Sequence, residues 1–210
     1  MKSIQNVWLP DEEEEIAKFL NAAQIDGVGV YQYNKLKAAL AHVKRFVVAV
    51  DVGAHCGLWS MQLCKRFKTV HAFEPVERHR ECLSMNAPTA LIYPYALGDK
   101  DGTVRLAKGV KSTGDTHISP DGEYVSEVRR LDGFGFENVD FIKLDCEGYE
   151  LFALRGGEVL IDRCKPTIIV EQKPGKAASF GLGDLEAVDW LVSKGYTLRG
   201  EIAGDYILSV

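Results

Sequence analysis

The chain has 210 residues, 46% of them hydrophobic and 26% charged, with 30 acids against 25 bases for a formal charge of -5. That length suits one domain around one core. The composition excludes disorder, collagen and coiled coil, and the acidic balance gives no bulk attraction to phosphate backbones or anionic membranes.

No apolar run approaches the roughly 18 residues of a membrane span, and the first residues lack the apolar stretch of a signal peptide. A soluble, cytoplasmic protein is therefore expected, with no membrane partner and with nucleic acid disfavoured. Cys56, Cys64, Cys82, Cys146 and Cys164 are scattered without any C-x-x-C pair, which points to reduced thiols rather than disulfides or zinc.

In chain order, Asp11 is the expected N-cap of an acidic first turn, Glu12 to Glu15, with Ile16, Phe19, Leu20 and Ala23 at helical spacing. The acid run is read as a solvated helix start without chemistry. Asp26-Gly27-Val28-Gly29 breaks the pattern, and Tyr33, Leu36, Leu40 and Val43 suggest a second helix, so residues 1–45 are expected to form a helical preface to a catalytic core over 46–210. From Phe46 the pattern changes to apolar, β-branched runs, with strands predicted over 46–50, 69–73, 90–93, 139–144 and 167–171. Helices are predicted over 58–67, 77–86, 149–162 and 185–194. This is an open α/β sandwich. Between Gly98 and Asp132 the pairs Asp101-Gly102, Gly114-Asp115 and Asp121-Gly122 separate short β-like pieces, predicting a β-hairpin insertion near the site. The end, 195–201 and 205–210, reads as two strands joined at Ala203-Gly204.

The strongest local signal is Val50-Asp51-Val52-Gly53-Ala54-His55-Cys56-Gly57, a buried strand running through D-x-G-x-x-x-G into a helix. Glycines there let backbone approach a ligand closely. The chain has Asp where a dinucleotide loop would have its first glycine, and no P-loop Lys-Ser/Thr pair follows. About 20 residues on, Ala72-Phe73-Glu74-Pro75 puts a carboxylate at the next strand end, where such folds hold a ribose diol.

These two motifs resemble the first two motifs of Rossmann-like S-adenosylmethionine-dependent methyltransferases. The string Asp140-Phe141-Ile142-Lys143-Leu144-Asp145-Cys146-Glu147-Gly148-Tyr149-Glu150, with Leu154-Arg155-Gly156-Gly157 and Pro166-Thr167-Ile168-Ile169-Val170-Glu171, narrows the resemblance to the FkbM-type enzymes over about residues 46–173. The resemblance implies a seven-stranded, mostly parallel sheet with the last strand antiparallel. It also implies S-adenosylmethionine as cofactor, S-adenosylhomocysteine as product, and O-methylation of a hydroxyl on a small molecule or glycan. Compact relatives of this kind make a phage source an expectation. The rival readings are transfer to nitrogen or to a protein or nucleic-acid group, and a non-catalytic binding protein retaining the fold.

Carried onto this chain, the resemblance has Asp51 and Gly53 facing the methionine part, with His55 and Gly57 completing the cofactor loop. Glu74 holds the ribose, and Phe73 and Leu97 sandwich the adenine. Asp99 either accepts from the adenine amino group or is a turn residue. Asp145 is the first choice for catalysis with Glu147, and His117 in the insertion is an alternative base; equally, Asp145 could only bind cofactor and Glu147 only cap a helix. Lys143, inside an apolar strand, is expected to pair with a carboxylate such as Glu171. Asp145, Glu147 and Glu171 could gather a divalent cation, and metal stays undecided. His42, His71 and His79 show no supporting pattern, and Cys56 and Cys146 are read as packing residues.

Overall fold

The computed structural model describes all 210 residues. Its central sheet has the strands β1 (Val48–Val52), β2 (Thr69–Phe73), β3 (Leu91–Tyr93), β4 (Val139–Leu144), β5 (Thr167–Glu171), β6 (Thr197–Ile202) and β7 (Asp205–Ser209). Their spatial order is 3-2-1-4-5-7-6, with β7 antiparallel to both of its neighbours and the pairings among β1 to β5 parallel. The expected seven-stranded, mostly parallel sheet with its last strand antiparallel is therefore present. The β6–β7 turn is Ala203-Gly204 as predicted, both residues in the left-handed region that a two-residue hairpin demands.

Helices cover both faces because alternate strand residues are apolar on both sides. Val48, Val50, Ile142, Leu144 and Val170 pack with α5 (Glu150–Gly156), α6 (Glu158–Cys164) and α7 (Glu186–Ser193). Ala49, Phe141, Ile169 and Ile207 pack on the other face with residues of α2 (Tyr33–Leu40) and α3 (Ser60–Leu63). The single helix expected over 149–162 is two helices meeting at Gly156-Gly157, where a Cβ on Gly156 would come within 1.9 Å of the Gly98 carbonyl. The insertion forms its own four-stranded sheet, from 96–97, 102–107, 117–118 and 124–129. No helix is long and apolar enough to cross a membrane, and all five cysteines are free.

The preface departs from expectation. Beside α1 (Glu15–Ala22) and α2 it holds a hairpin, Lys2–Ile4 with Val7–Leu9, and a short one, Gln24–Ile25 with Val28–Gly29. Both turn on two left-handed residues, Gln5-Asn6 and Asp26-Gly27; the second is the Asp-Gly signal read only as a break, and the first carries no glycine to announce it. Asp11 does not cap α1. The N-cap position is Glu14, whose side chain makes no capping bond; Glu13, just before it, supplies one, its Oε1 accepting the Ile16 N–H at 3.0 Å.

Three buried ionisable groups tie the frame together. Lys35 on α2 donates to Asp205 at the start of β7, with 10% and 6% of their side chains exposed. Glu150 opens α5, and its Oε1 accepts the N–H groups of Cys146 at 2.8 Å and Gly148 at 3.0 Å. The last acid of the D-x-E-G-x-E string thus clamps the loop after β4. Burial pushes its carboxyl up to about 7 against these hydrogen bonds.

Lys35→Met should leave Asp205 charged and unpaired, at a cost of about 3 to 5 kcal/mol in urea unfolding; a loss under about 1 kcal/mol would mean that the pair is not part of the frame. Between pH 4.5 and 7 the unfolded Glu150 releases a proton that the folded chain keeps, so its contribution to stability is full in acid and is lost as pH rises through about 7. Glu150→Gln, which can still accept both N–H groups, should remove that part of the slope, and stability profiles of equal slope for both proteins would contradict it.

Candidate active site

β1, β2, β4 and β5 run parallel and end on one edge, which places Gly53, Glu74, Asp145 and Glu171 together. Two cavities open on that edge. The first is an open cleft of about 600 Å³, with Phe73, Glu74, Leu97, Thr113 and Tyr149 among its walls. The second, of about 1280 Å³, lies between the preface, the insertion and the strand ends and is walled by Phe19, Tyr31, Trp59, Glu147, Glu171 and Lys173. Gly53, His55, Gly114 and Asp145 belong to both.

Gly53 has φ +71°, and a Cβ there would lie 2.0 Å from the Asp145 carbonyl oxygen. Only glycine lets the β1 loop pass this close to the end of β4. Glu74 is 5% exposed; its Oε2 accepts the His55 N–H at 2.8 Å, and its Oε1 accepts the Val76 N–H at 2.9 Å and faces His79 Nδ1 at 3.2 Å. Burial pushes this carboxyl up, but the partners, led by His79, hold it below its usual range. His55 sits edge-on to His79, ring centroids 4.2 Å apart, and burial, with His79 beside it, pushes its imidazole down to about 3.

Lys143 corrects the expected pairing with Glu171. Register sets it beside Asp51 on β1, and its Nζ lies 3.5 Å from Asp51 Oδ1, 3.7 Å from Asp145 Oδ2 and 2.8 Å from the Gly53 carbonyl oxygen, to which it donates. Burial works against its charge, but Asp145 and Asp51 outweigh it and raise the ammonium's pKa. Glu171 pairs instead with Lys173 at 2.6 Å, and Glu147 with Lys176. Burial first, then Asp145 and Glu147, push Glu171 up to about 8; burial and Asp145 also raise Glu147.

Oxygens of Asp145, Glu147 and Glu171 lie within 4.8 Å of one another. Each also faces a lysine ammonium, and the three carboxylates remain a donor set of the kind that could hold a divalent cation.

Three of the residues expected to contact cofactor are not on the walls of either cavity. Asp51 has no exposed surface and lies behind the cavities, its Oδ2 accepting from Ser60 Oγ at 2.6 Å. Gly57 serves packing: a Cβ there would meet Leu83 of α4 (Glu77–Asn86) at 3.1 Å. Asp99 stands off the walls, one turn past Leu97, which is on them. His117 walls the first cavity but not the second, its Nδ1 3.0 Å from the Asp115 carbonyl oxygen. Cys56 and Cys146 are driven to high pKa by burial, as packing thiols are.

Sequence reasoning missed His79, Thr113, Lys173, Lys176 and Glu13. Lys173 carried a signal, standing two residues after an acid at a strand end. His79 lies in the first turn of the helix after Glu74-Pro75 and so faces back to the strand end. Glu13 was hidden in an acid run.

A sequence profile described as the Methyltransferase FkbM domain matches residues 51–198. No curated protein matches the chain. Among solved structures, the methyltransferase FkbM of Methylobacillus flagellatus KT is 21% identical with a TM-score of 0.58, over 86% of this chain and 47% of that one, so this chain spans about half its length. A precorrin 8w decarboxylase of Methanobacterium thermoautotrophicum is 15% identical with a TM-score of 0.52, over 99% and 97% of the two chains. A candidate methyltransferase of Streptococcus mutans in complex with SAH is 11% identical with a TM-score of 0.50, over 86% and 99%. At such identities these likenesses bear on the fold alone, and they lend a phage source no support. The profile covers most of the chain and includes both the glycine loop and the D-x-E-G-x-E string: the chain belongs to the FkbM methyltransferase family.

Proposed function

We propose that this chain transfers the methyl group of S-adenosylmethionine to a hydroxyl of a small molecule or glycan in the cytoplasm. The observation that carries the reading is that Gly53, His55 and Asp145 wall both cavities. A group held in the first cavity and an acceptor held in the second meet there. The first cavity fits a nucleoside: it has apolar Phe73 and Leu97 for a base and a buried carboxylate, Glu74, for a diol.

When bound, S-adenosylmethionine supplies a methyl group on a sulfonium, so no residue need form a covalent bond. Glu74 would accept from the ribose hydroxyls, and Phe73 and Leu97 would offer apolar surface to the adenine. Asp145 would take the acceptor's proton as its oxygen bonds the methyl carbon and the carbon–sulfur bond breaks to leave the neutral thioether, S-adenosylhomocysteine, and Lys143 holds that carboxylate at the junction. Glu147 orients the acceptor. His117, off the second cavity, is less suited to the proton transfer than Asp145. Phe19, Tyr31 and Trp59 offer apolar surface against which the carbon skeleton of an acceptor excludes water.

S-adenosylhomocysteine should bind and raise the melting temperature, as any native-state ligand does, while NAD should not. Glu74→Ala should weaken that binding by about 1 to 3 kcal/mol, and titration calorimetry giving equal affinities would remove the ribose role. Asp145→Asn keeps the volume and removes the base. It should slow methyl transfer about 100-fold or more at saturating cofactor, followed as homocysteine release with an acceptor drawn from hydroxylated metabolites and sugars. A rate near wild type with weakened cofactor binding would make Asp145 a binding residue only.

A further inference from the structure

Glu13 is 1% exposed although it stands in the acid run at the start of α1. Its Oε2 receives the Thr113 N–H at 2.7 Å, the Thr113 hydroxyl at 2.6 Å and the Ser112 hydroxyl at 2.9 Å, while its Oε1 caps Ile16. Burial pushes the carboxyl up, but these hydrogen bonds outweigh it and keep it ionised. An ionised carboxylate only accepts. The single hydroxyl proton of Thr113 is therefore committed to Glu13.

Thr113 Oγ1 also lies 2.8 Å from His55 Nε2. With its proton spent, that oxygen accepts, and the proton of this second hydrogen bond belongs to the imidazole. Cys56 Sγ, 3.7 Å from the same nitrogen, is a further weak acceptor for it. His55 Nδ1 makes no hydrogen bond within the protein, and the residue walls both cavities. The backbone N–H of the same residue holds Glu74 Oε2, which puts the ring next to the carboxylate assigned to the ribose.

We propose that Glu13, acting through Thr113, is a positioning residue that fixes His55 as its Nε2–H tautomer and so presents a bare Nδ1 to a hydrogen-bond donor of the bound cofactor. Its last clause rests on the cofactor reading above. The preface thereby sets the hydrogen-bond polarity of the glycine loop, and a ligand that offers an acceptor at that point is refused.

The test uses the full chain labelled with 15N-histidine. Long-range proton–nitrogen correlation of the wild type should show His55 protonated at Nε2 and bare at Nδ1 between pH 5 and 8; an Nδ1–H or doubly protonated ring overturns the proposal without any variant. Thr113→Val should give mixed tautomers and an S-adenosylhomocysteine dissociation constant about 3- to 10-fold higher, the scale of one hydrogen bond. Thr113→Ser should restore both. Lower thermal stability in Thr113→Val with tautomer and affinity unchanged would leave Thr113 a structural residue and end the proposal. Failure of the wild type to bind S-adenosylhomocysteine would strike the cofactor reading and the last clause, while the spectra decide the tautomer on their own.

Discussion

One buried ammonium organises the site. Lys143 stands on β4 where the register sets it beside Asp51 of β1, and it donates to the carbonyl of Gly53 while facing Asp145. A cation enclosed this way is stable only with its counter-charges in place. The two strand ends are therefore held at a spacing set by one side chain, and the glycine at position 53 makes that spacing sterically possible. Glu74 joins the same frame through the His55 N–H. The nucleoside side of the edge and the carboxylate side are two ends of one hydrogen-bonded unit.

The carboxylates of the second cavity follow the same logic. Asp145, Glu147 and Glu171 would repel one another if each were left bare, and each is met by a lysine, Lys143 being shared with Asp51. Two of these lysines, Lys173 and Lys176, lie on the segment after β5 and not on a strand. That segment is part of the charge balance of the site, even though no strand or helix periodicity marks it.

What was legible in the sequence was whatever local pattern controls. The strands β2, β4 and β5 and the Ala203-Gly204 turn stand where apolar runs and turn residues put them, and the strand-end rule brought Gly53, Glu74 and Asp145 to one edge. Illegible were the pairings that depend on register and on distant segments. Lys143 lies beside Asp51 and not Glu171 because of how β4 slides against β1, which no single strand encodes. Asp51 is used inside the frame and not at its surface for the same reason. Glu13 looked like a solvated acid because its partners are about a hundred residues away in the insertion. The first preface hairpin was missed because Gln5-Asn6 turns left-handed without glycine, and the second because its Asp26-Gly27 turn was read only as a break.

The clasp between Lys35 and Asp205 also bears on the order of assembly. It joins positions separated by 170 residues, the second of them opening β7, the strand that lies between β5 and β6. Until that strand is synthesised and inserted, Lys35 has no counter-ion and must stay hydrated, so α2 cannot settle on the sheet with its full contacts. Closure of so long a loop is slow relative to local pairing. A nascent chain halted before residue 205 would hold the cavity-forming strand ends but expose the apolar face beneath α2, the surface that a chaperone would have to shield during translation.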